Sequence, residues 1–283
     1  MPQYIQLLGL PFLACLLMIG ILGCLGIHVL KREVIFIDIA LAQIAVVGAI
    51  AAHLAFHAHG HSVAGYGCAF GAVLVAAAFY SVVRRRVTQI SLEAVIGVTY
   101  AIAAAGALFL VGVAPGGHMH VHDMLAGSIL WTTWADIARC GAVFAVVAAL
   151  LWVLRRPFGR ISDDYEGAVR DGMRTAWWDF AFYALVGLVI TVAVGVGGVV
   201  LVFAFLIIPA TVSALFATGW ASRLAIAWAT GAIASAAGLW FANAFDFSLG
   251  PAIAAFLGVA LCLASLFCLL WPAGSVRCKR IGA

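Results

Sequence analysis

The sequence predicts an all-α, polytopic membrane bundle of about nine transmembrane helices, with eight as the alternative if one segment is re-entrant. Three observations predict it. The chain is 66% hydrophobic and only 9% charged, whereas a soluble domain carries roughly 25% charged residues. So few charges do not cover a water-facing surface, so lipid is the solvent for most of the chain. The apolar residues form runs of about 20, the length that crosses a bilayer as a helix. The arginines and lysines, finally, gather with one exception in the connections on one side.

The expected spans are about 8–30, 35–56, 62–83, 92–113, 134–154, 178–196, 198–217, 222–242 and 251–271. Helices follow because backbone groups in lipid must be satisfied within each segment. The runs are too long and continuous for barrel strands. The first segment has no basic flank from Met1 to Gln6, so it reads as a span rather than a cleaved signal peptide. The sixth and seventh form one apolar run of about 40 residues, twice the spanning length. The cluster Gly195, Gly197 and Gly198 near its middle supplies the turn. Pro209 inside the seventh span removes a helix hydrogen bond. Glycines spread through the spans allow close helix approach.

With nine spans and the N-terminus outside, five regions including the C-terminus face the cytoplasm. They hold all of the 15 Lys and Arg residues except Arg139: Lys31 and Arg32, Arg84 to Arg86, Arg155 to Arg174, Arg223, and Arg277 to Arg280. That asymmetry is what the positive-inside rule requires. The seven cysteines are scattered without a C-x-x-C pair and read as small packing residues.

Little chain is left outside the bilayer, and that excludes function classes. Only Lys31 and Lys279 are lysines, and neither follows a glycine. A G-x-x-x-x-G-K phosphate loop is therefore excluded, as is an H-E-x-x-H metalloprotease motif. Nothing points to a nucleic-acid partner. The longest cytoplasmic stretch, Arg155 to Trp177, repeats apolar residues at Phe158, Ile161, Tyr165, Ala168 and Met173, a helical spacing. Asp163, Asp164 and Glu166 at its start and Arg170 and Arg174 at its end complement the helix dipole. Asp163 with Glu166 has capping-box spacing. A short amphipathic helix over about 161–175 is expected, broken near Gly172. It serves either as a surface anchor or as a docking element.

Seven of the eight histidines fall at or beyond the outer membrane edge. His57, His59 and His61 form one alternating run, and His118, His120 and His122 a second, followed by Asp123. In extended chain each run presents three imidazoles on one side, and His53 shares a helical face with His57 if the second helix extends that far. Imidazole suits zinc, copper and nickel better than magnesium or calcium, so transient metal capture at an entrance is the expectation. Within the spans, Asp38, Gln43 and Glu93 are the candidate pathway residues, since polar and ionisable groups in lipid are costly. Asp38 and Gln43 lie about 140° apart round one helix and are not expected to bind one ion. Asp179, beside Trp177 and Trp178, reads as an interfacial anchor, and Asp136 and Arg139 as a pair across one turn.

These segments, in this order, resemble the permease family of ABC importers for zinc, manganese and related metals. The resemblance rests on Phe36 to Gly48, Ser91 to Gly97, Leu125 to Trp131, Asp163 to Gly172, the run Gly198 to Ala210, and Gly250. It implies a single transmembrane permease domain over 1–283, in the inner or plasma membrane of a prokaryote. It implies no catalysis in this chain and no permanently bound cofactor, with zinc or manganese as the transported ion. The implied partners are cytoplasmic ATP-binding-cassette ATPase subunits, an extracytoplasmic metal-binding protein and a second copy of the chain. Asp163, Asp164, Glu166, Ala168 and Gly172 would then dock on the ATPase. One departure stands out. Many members have a histidine four residues after the second-helix aspartate; counted back from Gly48, that place is Gln43 here, and the aspartate is displaced relative to it. The resemblance therefore carries no metal site onto that helix.

Overall fold

The computed structural model describes residues 2–56, 63–87, 89–113 and 129–270. Among them there is no strand, and nine helices are long and apolar enough to cross a membrane. They are α1 (Pro2–Lys31), α2 (Ile37–Phe56), α3 (Val63–Arg86), α4 (Leu92–Val113), α5 (Trp134–Val153), α8 (Thr175–Gly197), α9 (Val199–Phe216), α10 (Trp220–Phe245) and α11 (Leu249–Leu270). Two short helices, α6 (Arg155–Asp163) and α7 (Tyr165–Arg170), lie between α5 and α8. The membrane bundle expected from hydropathy is thus the observed fold.

The helices start and stop for local reasons. At α5, the Thr133 hydroxyl accepts the Asp136 N–H while the Asp136 carboxylate accepts the Thr133 N–H, a reciprocal cap. Asp136 also pairs with Arg139 at 3.2 Å, as the spacing predicts. The long apolar run breaks at Gly198, whose φ of 78° and ψ of 160° lie where side chains are not tolerated. One residue therefore separates α8 from α9, inside the glycine cluster expected to make the turn.

Two groups of helices pack side by side. One comprises α2, α3, α4 and α8; the other comprises α1, α9, α10 and α11; α5 touches both α1 and α8. Among the described residues, the chain crosses between the groups at the short turn after α1 and at Gly198, while the segment from α5 to α8 leads into the first group. In the window that would span the membrane, α1 is 61% buried, against 11% for α4 and for α11. So α1 is central, and α4 and α11 offer most of their surface to lipid or to another chain.

The segment between α5 and α8 differs from expectation. Instead of one amphipathic helix over about 161–175, the chain forms α6 and α7, broken at Asp164 (φ −150°, ψ 92°). The cause is local: the Asp164 carboxylate accepts the Gly167 N–H at 2.8 Å. That N-cap geometry requires extended backbone and so ends α6. Asp163, the expected cap, closes α6 instead, its carboxylate taken by Lys31 at 2.5 Å. The predicted break near Gly172 is present. Gly172 has φ 74°, and the Gly172 and Met173 N–H groups return to Val169 and Ala168 carbonyls, a Schellman end to α7.

Candidate coupling site

The densest polar structure among the described residues sits where α6 and α7 meet the bundle, on the arginine-rich face. It begins with Arg32, the first residue after α1. Its Nη1 donates to Asp179 Oδ1 at 2.7 Å, and both side chains are 0% exposed. Arg84, at the end of α3, approaches the same oxygen at 3.5 Å and donates to the Tyr183 hydroxyl at 3.1 Å. Asp179 and Tyr183 are four apart on α8, hence on one face. Three distant parts of the chain converge on one carboxylate.

The short helices are tied into this hub. Arg32 Nε donates to Ser162 Oγ at 2.9 Å, and its Nη2 reaches the Phe158 carbonyl at 3.5 Å. His28 Nδ1 lies 3.0 Å from the same Ser162 oxygen. The Arg32 guanidinium stacks on the Phe182 ring at 4.1 Å, and Arg84 on Tyr165 of α7 at 4.3 Å. These planar contacts need arginine; a lysine supplies neither the stacking nor the fork of donors. Outside the spans, burial pushes the Arg32 guanidinium below its ordinary pKa, opposed chiefly by Asp179. Arg160 and Asp171 pair at 2.5 Å and hold the end of α6 to the end of α7. The hydrogen bond to Asp171 holds Arg160 above its ordinary pKa.

One buried and one part-buried guanidinium against one carboxylate form an ionic joint. The joint does no acid–base or nucleophilic work. What it can do is carry a displacement of α6 and α7 into α1, α3 and α8 together. The same face fixes α4: Glu93 Oε1 accepts the Ile35 N–H at 3.0 Å, pinning the turn after α1.

The expected site residues divide as follows. Asp163, Asp164, Glu166, Ala168 and Gly172 lie together on the α6–α7 segment. Asp163 binds Lys31, Asp164 caps α7, Ala168 is fully buried, and Glu166 stays exposed, 3.7 Å from Arg170. Among the proposed pathway residues, Asp38 and Gln43 are both buried although far apart round α2. The reason is that α2 packs on α3, α4 and α8. Glu93 has an oxygen committed to backbone. His53 lies in the last turn of α2. His57, His59, His61, His118, His120, His122 and Asp123 fall outside the described residues. Among those described, no three His, Cys, Asp or Glu side chains gather as a metal group.

One expectation is corrected. Asp179 is no interfacial anchor; it is the wholly buried centre of the joint. Sequence reasoning also missed Arg32, Arg84, Tyr183, Ser162 and His28. A signal existed for the first two: an aspartate just inside an apolar span, with arginines at the ends of other spans on the same face.

Comparison with known proteins follows this geometry. The family model described as "ABC 3 transport family" matches residues 5–268. A "Probable metal transport system membrane protein" of Chlamydia muridarum is 24% identical over 174 residues, covering 62% of this chain and 59% of the relative. The "Manganese import system permease protein ScaB" of Streptococcus parasanguinis is 29% identical over 161 residues, 57% of each chain. The chain therefore spans under three fifths to about three fifths of these relatives' lengths. The solved structure "PsaBC from Streptococcus pneumoniae in complex with Fab" superposes with TM-score 0.76 at 20% identity, covering 93% of this chain and 94% of that one. A second, "An inward-facing conformation of a putative metal-chelate type ABC transporter", gives 0.66 at 17% identity, covering 91% and 85%.

Proposed function

Given that the chain belongs to the ABC 3 transport family of membrane permeases, we propose that it is the membrane-spanning subunit of an ATP-driven importer for a divalent metal ion. The observation that carries this is the family match over residues 5–268, almost the entire chain. The arginine-rich face is the cytoplasmic one, as the positive-inside rule requires. There a separate ATP-binding-cassette subunit docks on α6 and α7. Their tie to Arg32, Asp179 and Arg84 supports that role, because a surface anchor has no need of a buried joint. The metal arrives from an extracytoplasmic binding protein at the opposite face.

Two copies form the pathway. The low burial of α4 and α11 supports this. So do Gly97, Gly106 and Gly258, on those helices, where a Cβ would meet nothing within 4 Å. Small residues of this kind let a second helix approach.

Zinc is the favoured ion, because the two histidine runs offer imidazole, which suits zinc better than manganese. Manganese is the second reading, favoured by the 29% identity to ScaB, named as a manganese import permease. The decisive experiment reconstitutes the chain with its ATPase and binding protein in vesicles and measures metal-stimulated ATP hydrolysis and uptake. Zinc-stimulated, ATP-dependent uptake is expected. Uptake that proceeds equally without the ATPase would instead make this a secondary transporter. Stimulation by manganese alone would transfer the assignment to the second reading.

A further inference from the structure

A cleft of about 990 Å³ opens on the flank of the bundle. Its floor is α1, its walls are α5 and α10, and α6 closes its end at the arginine-rich face. The lining runs from Leu16 to Lys31 on α1, about 22 Å at 1.5 Å per residue. That matches one leaflet with its headgroups, about 20–22 Å. The deep part is apolar, with Leu17, Ile21, Phe144 and Leu224 among its lining. The mouth is cationic: Lys31, Arg155 and Arg156 line it, with Asp163 as its carboxylate.

Lys31 and Asp163 are paired at 2.5 Å, which leaves the charge of Arg155 and Arg156 uncompensated at the rim. Arg155 stacks over Trp152 at 4.6 Å. Trp152 and Trp220 line this end of the cleft, and tryptophan favours the level of the headgroups.

We propose that this cleft is a binding site for an anionic phospholipid of the surrounding bilayer, with its acyl chains between α5 and α10 and its phosphate at Arg155 and Arg156. Length, apolar walls and a cationic mouth at headgroup level fit that one class of ligand together. A second copy lying parallel in the membrane fits less well. It presents its own arginine-rich face at the same level and brings like charge to the mouth.

The test uses the chain in nanodiscs of mixed phosphatidylcholine and phosphatidylglycerol, released and weighed by native mass spectrometry. Phosphatidylglycerol is expected to stay bound in preference to phosphatidylcholine. Arg155→Gln and Arg156→Gln should each lower its retention about fivefold, the effect of one cation near a membrane surface. Both arginines are exposed, so folding is not at stake. Ala148→Trp, which fills the cleft from its exposed wall, should reduce retention of both lipids. Equal retention of the two lipids by the unaltered chain, or retention indifferent to the arginines, would overturn the proposal. So would a disulfide between copies formed through Ala148→Cys, since a second copy would then cover the cleft. Retention is read without ATP or metal, so its failure leaves the transport reading untouched.

Discussion

Asp179 accepts from Arg32 at 2.7 Å and faces Arg84 at 3.5 Å, while its second oxygen has no hydrogen-bond partner. Removing a charge from water costs several kcal/mol, and the pair is stable only because both members are present. Removing Asp179 leaves Arg32 buried and uncompensated. Asp179→Leu should therefore destabilise the chain by about 3–5 kcal/mol and lower its melting temperature in detergent. The Arg32→Leu, Asp179→Leu double variant should lose clearly less than the two single losses added together. Strict additivity in the four-protein cycle would show that the two side chains do not form a coupled pair. Asp179 was visible in the sequence, yet its importance was not. Its partners lie 147 and 95 residues away, and only the packing of α1 and α3 on α8 brings them to it. Gln43 and Asp38 were equally visible, and their helical angle was read correctly. What spacing did not reveal is that α2 is surrounded, so both of its opposite faces are interior.

Helices α6 and α7 are short, and their ends are set by single residues. Asp164 caps α7 and Gly172 ends it. Losing an N-cap costs about 0.5–2 kcal/mol, enough to unwind a helix of six residues without unfolding the bundle. Asp164→Ala is expected to leave the permease in the membrane but to uncouple it, so that the partner ATPase still hydrolyses ATP while metal uptake falls severalfold. Asp164→Asn, also a good cap, should retain uptake. Unimpaired ATPase binding and uptake in Asp164→Ala would reduce the segment to a surface anchor. The buried face of this segment was legible from its apolar spacing, since Phe158, Ile161 and Ala168 are all interior. The division into two helices was not. Three acidic residues stand within four positions, and which of them caps depends on Lys31 claiming Asp163.

Over the whole molecule, the number of spans was legible because lipid imposes one length on every crossing segment and leaves few alternatives. The candidate metal ligands were legible only as composition. The triple change of His118, His120 and His122 to Ala is expected to weaken zinc uptake at low metal and to leave it intact at high metal. Initial rates in reconstituted vesicles measure this, and rates unchanged at every zinc concentration would make the run ordinary loop. Gly198 carries a different implication. It is the lone residue between α8, which belongs to one group of helices, and α9, which belongs to the other. Near the opposite end of α8 lies Asp179, locked to the turn after α1, where the chain also crosses between groups. Helix α8 is thus a strut about 34 Å long, clamped at its foot and pivoted at its head with no slack in the fastening. On the coupling role proposed above, a tilt imposed at the foot would be carried to the Gly198 end and would open or close the seam between the two groups of helices.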